Sequence, residues 1–249
     1  MSATTYDFGT GPIPAHPLEN GAWIADSAVI HPTAIIGPAA IVGYDAFIED
    51  GASIGEYARI GAHVRLGRGA SIRDDAFIGY GASIGANARI DAGAIIDEGT
   101  NIGLGTTIGE RATIGAKALI NRDARIGRGV GIGANARIGA GASIGEGASI
   151  GEGAHIRADA HIGPGASIGE YTIVGPGALI GADVHIGKDA DIGPGALIGH
   201  GASIGHSALI GANAVIHFDV RIGESVTIAD GAVIDDIGAS APGAKGLRL

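Results

Sequence analysis

The sequence predicts an all-β protein, a triangular parallel β-solenoid of 12 coils with three hexapeptides each, on three observations. An aliphatic residue falls at every sixth position from Ile24 to Ile234: 36 positions, 33 of them Ile and the others Val42, Leu66 and Val174. Two residues before each anchor stands a small or β-branched side chain, Ala in 28 cases and otherwise Val or Thr. Three residues after the anchors, 25 of the 35 sites between Ser27 and Gly231 are Gly, Asn or Asp, which enter positive φ most easily. So strict a period defines one supersecondary unit that buries its apolar side only by stacking on its neighbours.

A period of six fits neither the 3.6 of a helix nor a long alternating strand. Within one unit it reads as a short strand followed by a turn. In Ala142-Ser143-Ile144, residues 142 and 144 point inward and 143 outward, because strand side chains alternate. The inward pair is small-then-branched throughout, while the outward residue varies among Ser, Arg, His, Phe and Leu. Tyr57, His63, Arg111, Lys117 and Tyr171 stand where the turn favours Gly, Asn or Asp, so they are either strained or use another turn. With three units per coil, each anchor stacks on the one 18 residues away, as Ile144 on Ile162. Burying each such side chain contributes about 1.5–3 kcal/mol gross. Much of this offsets the ordering of many glycines.

The repeat sets the domain organisation: a lead-in or cap over 1–21, the repeat over 22–234, and a tail over 235–249. The lead-in breaks the period, carries Pro12, Pro14 and Pro17, and runs into Trp23, the only Trp. It is expected to cover the first coil, since an open sheet end must be capped. The tail, rich in Ala, Gly and Ser with Pro242, is expected to be mobile.

Composition narrows the function classes. Gly is 47 of 249 but follows no Gly-X-Y period, and Pro is only 9, so neither collagen nor disorder fits. Cysteine is absent, which removes disulfides and thiolate metal sites. A net charge of −10 argues against a nucleic-acid partner, which needs a basic stripe to displace counterions. No run of 18 apolar residues reads as a membrane span, and no basic-then-apolar leader is present. A cytoplasmic protein with no membrane partner is the expectation.

The tandem units Ala-x-Ile-Gly-x-Gly, as in Ala148-Ser149-Ile150-Gly151-Glu152-Gly153, closely resemble the hexapeptide repeat of the bacterial hexapeptide transferase superfamily. The resemblance covers about residues 22–234. It implies a left-handed parallel β-helix and a homotrimer with prisms side by side. It also implies acyl or acetyl transfer with coenzyme A or acyl carrier protein as donor, or, in other members, nucleotidyl transfer or γ-class carbonic anhydrase chemistry. Members generally interrupt their coils with loops that help build the active site between subunits. Here no coil is interrupted.

Nine His are present, yet none stacks on another at 18-residue spacing, so no intrachain set closes around zinc at about 2.0–2.1 Å. His200 and His206, six apart, occupy equivalent turns on successive sides. For acyl transfer the resemblance implies a His general base, and His155, His161 and His185, on outward strand positions, are the candidates. Gly-Lys-Ser/Thr is missing, so the glycines do not form a phosphate-binding loop. Leu179, Leu197, Val215 and Val233 fall 18 apart and form one outward apolar stripe, a candidate interface or docking site for the tail. Trp23 and Ile41 pair similarly near the other end, and Val29 with Phe47 on another side; either pair could hold the lead-in. The regularity favours a rigid scaffold or assembly protein with no cofactor and no recognisable active site. The alternative is an acyl- or acetyltransferase with a site between subunits. Agreement of patterning, turn chemistry and core at every level also fits an engineered or consensus-idealised chain.

Overall fold

The computed structural model describes residues 4–8 and 11–235. Among these residues there are only strands and turns, and the chain forms two compact units, residues 1–123 and 124–249. Both are parallel β-helices, in keeping with the left-handed hand. No helix among the described residues is long and apolar enough to cross a membrane.

In the repeat nearly every strand is two residues long and pairs in parallel with the strand 18 residues on: Ser53–Ile54 with Ser71–Ile72, and Ser143–Ile144 with His161–Ile162. Three faces therefore carry vertical columns of outward side chains. In the first unit one face carries Trp23, Ile41, Arg59, Phe77 and Ile95. A second begins Val29, Phe47, Arg65, and a third Ile35, Ser53, Ser71. In the second unit one face carries Arg137, His155, Ile173, Asp191 and Leu209. Another carries His161, Leu179, Leu197, Val215 and Val233, and the third Ser167, His185 and Ser203.

The inward Ala and Ile columns are the core: Ala52, Ala58, Ala142 and Ala154 have no exposure, and Ile54, Ile60 and Ile144 only 2%. Thr100, Thr106 and Thr172 take the Ala position and are equally buried. Each hydroxyl donates to a turn carbonyl of the neighbouring coil: Gly115 O at 3.1 Å, Asn121 O at 2.9 Å and Gly187 O at 2.8 Å. A buried hydroxyl without such a partner would cost about 1–3 kcal/mol.

Backbone hydrogen bonds run both ways. Strand N–H groups donate to the following coil, as Ser53 N to Ala70 O at 2.9 Å, while turn N–H groups donate to the preceding one, as Tyr57 N to Pro38 O at 3.0 Å. This backward bond decides the turn conformation. Tyr57, His63, Arg111, Lys117 and Tyr171 adopt the same left-handed turn as Gly, Asn and Asp, as do Ala39, Ser207 and Ser225, all with φ between 53 and 59°. The second of the two expected options, a different turn, is not used. An L-residue in that region costs about 1–2 kcal/mol, which the fixed backbone bonds on either side outweigh. Ser27 and Thr33 alone among these turn sites lack positive φ. They lie in the first coil, where no preceding coil receives the N–H; their hydroxyls instead accept from Asp45 N at 3.0 Å and Gly51 N at 2.9 Å.

Glycine has two roles that the period alone does not separate. Gly147 occupies the left-handed turn position, φ +67°, with open space where a side chain would begin. Gly151, directly after its anchor, needs no positive φ, but a Cβ there would lie 2.5 Å from Glu170 N and 2.6 Å from Gly169 C. The second role is close approach of one coil to the next.

The lead-in forms an antiparallel hairpin, β1 (Thr5–Asp7) with β2 (Pro12–Pro17), and β2 pairs with β3 (Trp23–Ala25) in the register Pro17 to Trp23. His16 lies within β2, its Nδ1 2.9 Å from Asp26 Oδ1. Tyr6 stacks on Trp23 at 4.9 Å, so the Trp23–Ile41 face receives the hairpin, while Val29 and Phe47 stay exposed. The expected mobile tail lies outside the described residues beyond Asp235.

Candidate functional site

The three candidate histidines fall on three different faces of the second unit. His155 stands between Arg137 and Ile173, His161 between Ser143 and Leu179, and His185 between Ser167 and Ser203. The turn after each anchor sends successive strands to different faces, so the structure brings no two of them together. His161 and His185 are exposed and have only small or apolar column neighbours.

His155 differs from them. It is half-buried, and burial holds its imidazole below the usual histidine range, with the Arg157 and Arg137 guanidinium groups pushing the same way. Both causes disfavour the charged form. At neutral pH the ring is therefore neutral and free to accept a proton. Arg157, two residues on, and Ile173, one coil on, line a groove of about 390 Å³ that continues along Asp191, Pro194, Leu209 and Thr227. Its size is that of a small-molecule site, about 300–1,000 Å³. His155 borders this groove rather than lining it. The combination of a neutral imidazole, two guanidinium groups and a groove suits proton abstraction beside an anionic ligand.

His200 lies 3.8 Å from Asp183, and His206 Nε2 3.2 Å from Glu224, both as exposed pairs. Among the described residues no three His, Cys, Asp or Glu converge as a metal-ligand set. Leu179, Leu197 and Val233 are 47%, 40% and 44% exposed, with half-buried Val215 between them in register. Trp23 is half-buried under Tyr6, and Ile41 beside it is half-buried as well.

Two clusters escape the period. In the first unit His63 sits edge-on between Tyr44 and Tyr80, ring centres 5.1 Å from each, with Asp45 3.7 Å away. These residues are 19 and 17 apart and alternate between adjacent turn positions, so no constant spacing marks them. His31, Thr33 and Asp50 form the other: Thr33 Oγ1 donates to Asp50 Oδ1 at 2.6 Å and lies 2.8 Å from His31 Nδ1. The Thr33 hydrogen bond, with His31 and Arg68 nearby, holds the Asp50 carboxyl below its usual range.

Comparison with known proteins defines the class. The family described as bacterial transferase hexapeptide (six repeats) matches residues 105–140, 123–158, 147–182 and 165–200. The hexapeptide repeat of succinyl-transferase matches 51–98 and 201–236. The chain belongs to the hexapeptide-repeat transferase superfamily. Similar solved structures share the fold alone. The acetyltransferase domain of PglB from Neisseria gonorrhoeae is 24% identical over 53% of this chain, with TM-score 0.32. The chain spans 55% of the length of that domain. The UDP-N-acetylglucosamine acyltransferase of Arabidopsis is 22% identical over 83% of this chain and 70% of its own, with TM-score 0.39. That of Campylobacter jejuni is 21% identical over 82% and 70%, with TM-score 0.31. No curated protein matches the chain.

Proposed function

We propose that the chain is an acyltransferase or acetyltransferase in which His155 is the general base. The observation that carries this reading is the half-buried imidazole near Arg137 and Arg157 at the edge of a groove. Membership in a transferase superfamily supports it. A thioester donor, coenzyme A or acyl carrier protein, supplies the activated acyl group when bound. Arg137 and Arg157 hold the donor's anionic part, where their fixed charge needs no reorganisation. His155 takes the proton from an acceptor hydroxyl or amine as that group attacks the acyl carbonyl, then returns it to the departing thiolate. The groove is open on one side, so a second copy of the chain completes the site. The Leu179–Val233 stripe on an adjoining face is the surface for that association, with a trimer as the symmetric arrangement.

The test is thiol release from acetyl-coenzyme A with a panel of amine and hydroxyl acceptors. His155→Ala is expected to reduce the rate about 100-fold or more, as loss of a general base does. His161→Ala and His185→Ala should change it little. Equal activity in all three variants would refute the assignment. A second reading, a scaffold without catalysis, is favoured by one observation: no loop interrupts the described coils. Absence of turnover across the whole panel, with a monomer in light scattering, would support that reading instead.

A further inference from the structure

The strongest ligand-like feature outside the His155 face is in the first unit. Six of the ten aromatic residues gather there: Tyr6, Phe8, Trp23, Tyr44, Phe77 and Tyr80. All but Trp23 line a groove of about 440 Å³, within the usual range of small-molecule sites. The hairpin supplies one wall, with Tyr6 stacked on Trp23 and Phe8 edge-on to Tyr6 at 5.0 Å. Tyr44 and Tyr80 supply the other, held by His63 between them. The hairpin is already anchored by the β2–β3 pairing and by Tyr6 on Trp23. Phe77 and Tyr80 stay 41% and 55% exposed, uncovered by anything in the first unit.

Arg59 stands on the floor between Ile41 and Phe77 and is, among the described residues, the only cationic side chain lining the groove. Its backbone N–H donates to Ala76 O at 2.9 Å, but among the described residues its guanidinium has no hydrogen-bond or ion-pair partner. Asp7, the only carboxylate of the lining among the described residues, accepts from Gly11 N at 3.1 Å. Aromatic walls favour a flat ring at stacking or edge distance, and an unpaired guanidinium between them favours an anion.

We propose that this groove binds a small molecule in which a planar aromatic ring carries an anionic group. The ring lies between the hairpin aromatics and the Tyr44–Tyr80 edge, and the anion meets Arg59. The site is independent of the acyl-transfer reading, because it uses other residues and its test reads binding alone.

Phenyl phosphate is the probe, titrated into the full chain and followed by the fluorescence of Trp23, the only Trp, and by calorimetry. Saturable binding with Kd at or below about 1 mM is expected. Phenol and inorganic phosphate should each bind about tenfold more weakly or worse. Arg59→Gln should weaken phenyl phosphate about tenfold and leave phenol unchanged. Phe77→Ala should weaken both, and Phe77→Leu serves if the Ala variant does not fold. Inorganic phosphate binding as tightly as phenyl phosphate would overturn the proposal, since a bare arginine contact would then suffice. So would no saturation, or an Arg59→Gln variant that binds as the parent does.

Discussion

Gly147 and Gly151 lie four residues apart in one unit and should respond oppositely to the same substitution. At Gly147, φ is +67° and nothing lies within 4 Å of a would-be Cβ. Asn occupies the identical turn position at residues 87, 135 and 213, with φ 55–58°. Gly147→Asn should therefore change stability by less than about 0.5 kcal/mol, the residual αL cost being offset by a less flexible unfolded chain. At Gly151 the Cβ would meet Glu170 N at 2.5 Å, Gly169 C at 2.6 Å and Glu170 Cα at 2.8 Å. Those contacts fall roughly 1 Å short of a normal carbon separation, and all three atoms are backbone. Overpacking of this kind costs about 1–3 kcal/mol. The position is not closed everywhere, since Arg73, Asp91 and Arg157 stand directly after their anchors. The penalty thus belongs to the local distances and not to the motif. Urea unfolding followed by circular dichroism gives the midpoints. Equal loss in Gly147→Asn and Gly151→Asn would refute the division of glycines into two roles.

Other perturbations follow from the same structure. Ile60, 2% exposed, stacks between Val42 and Ile78; Ile60→Ala should cost about 2–5 kcal/mol and Ile60→Val about 0.5–1.5, read from unfolding midpoints. His155 has a folded pKa below its ordinary value of 6.5, so the unfolded chain takes up the proton first as pH falls. Its contribution to stability is full above about pH 6.5 and lost below, and His155→Gln should flatten that part of the pH profile. Tyr6→Ala removes the stack on Trp23, and Trp23 emission should shift to longer wavelength as the ring becomes wetter. An unchanged spectrum would mean that the hairpin does not cover Trp23 in solution.

Much of the fold was legible because one physical demand repeats. Burying Ala and Ile on a period of six allows only short strands, tight turns and pairing at 18 residues, as Ser143 to His161 shows. The hand came from the resemblance, not from spacing. The turn at Tyr57 was not legible, because it depends on the bond to Pro38 O, a contact between coils rather than a side-chain preference. His155 was legible as an outward histidine, but not what sets it apart from His161 and His185. That difference arises first from burial and then from Arg157 and Arg137, one two residues on and one a coil away. The aromatic groove was hidden for a related reason: Tyr6 and Phe8 precede the period, and Tyr44 and Tyr80 sit on turns.

The tight turns and the fixed inward pair leave about one freely chosen outward residue per strand. Each such residue has an address, a face and a row, with rows about 4.8 Å apart. Exchanging Arg59 with Phe77 would move a charge up one row and an aromatic ring down one, leaving every Ala and Ile of the core in place. Surface chemistry on this chain can thus be rewritten like entries on a grid, at a spacing close to that between stacked strands, without renegotiating the fold beneath it.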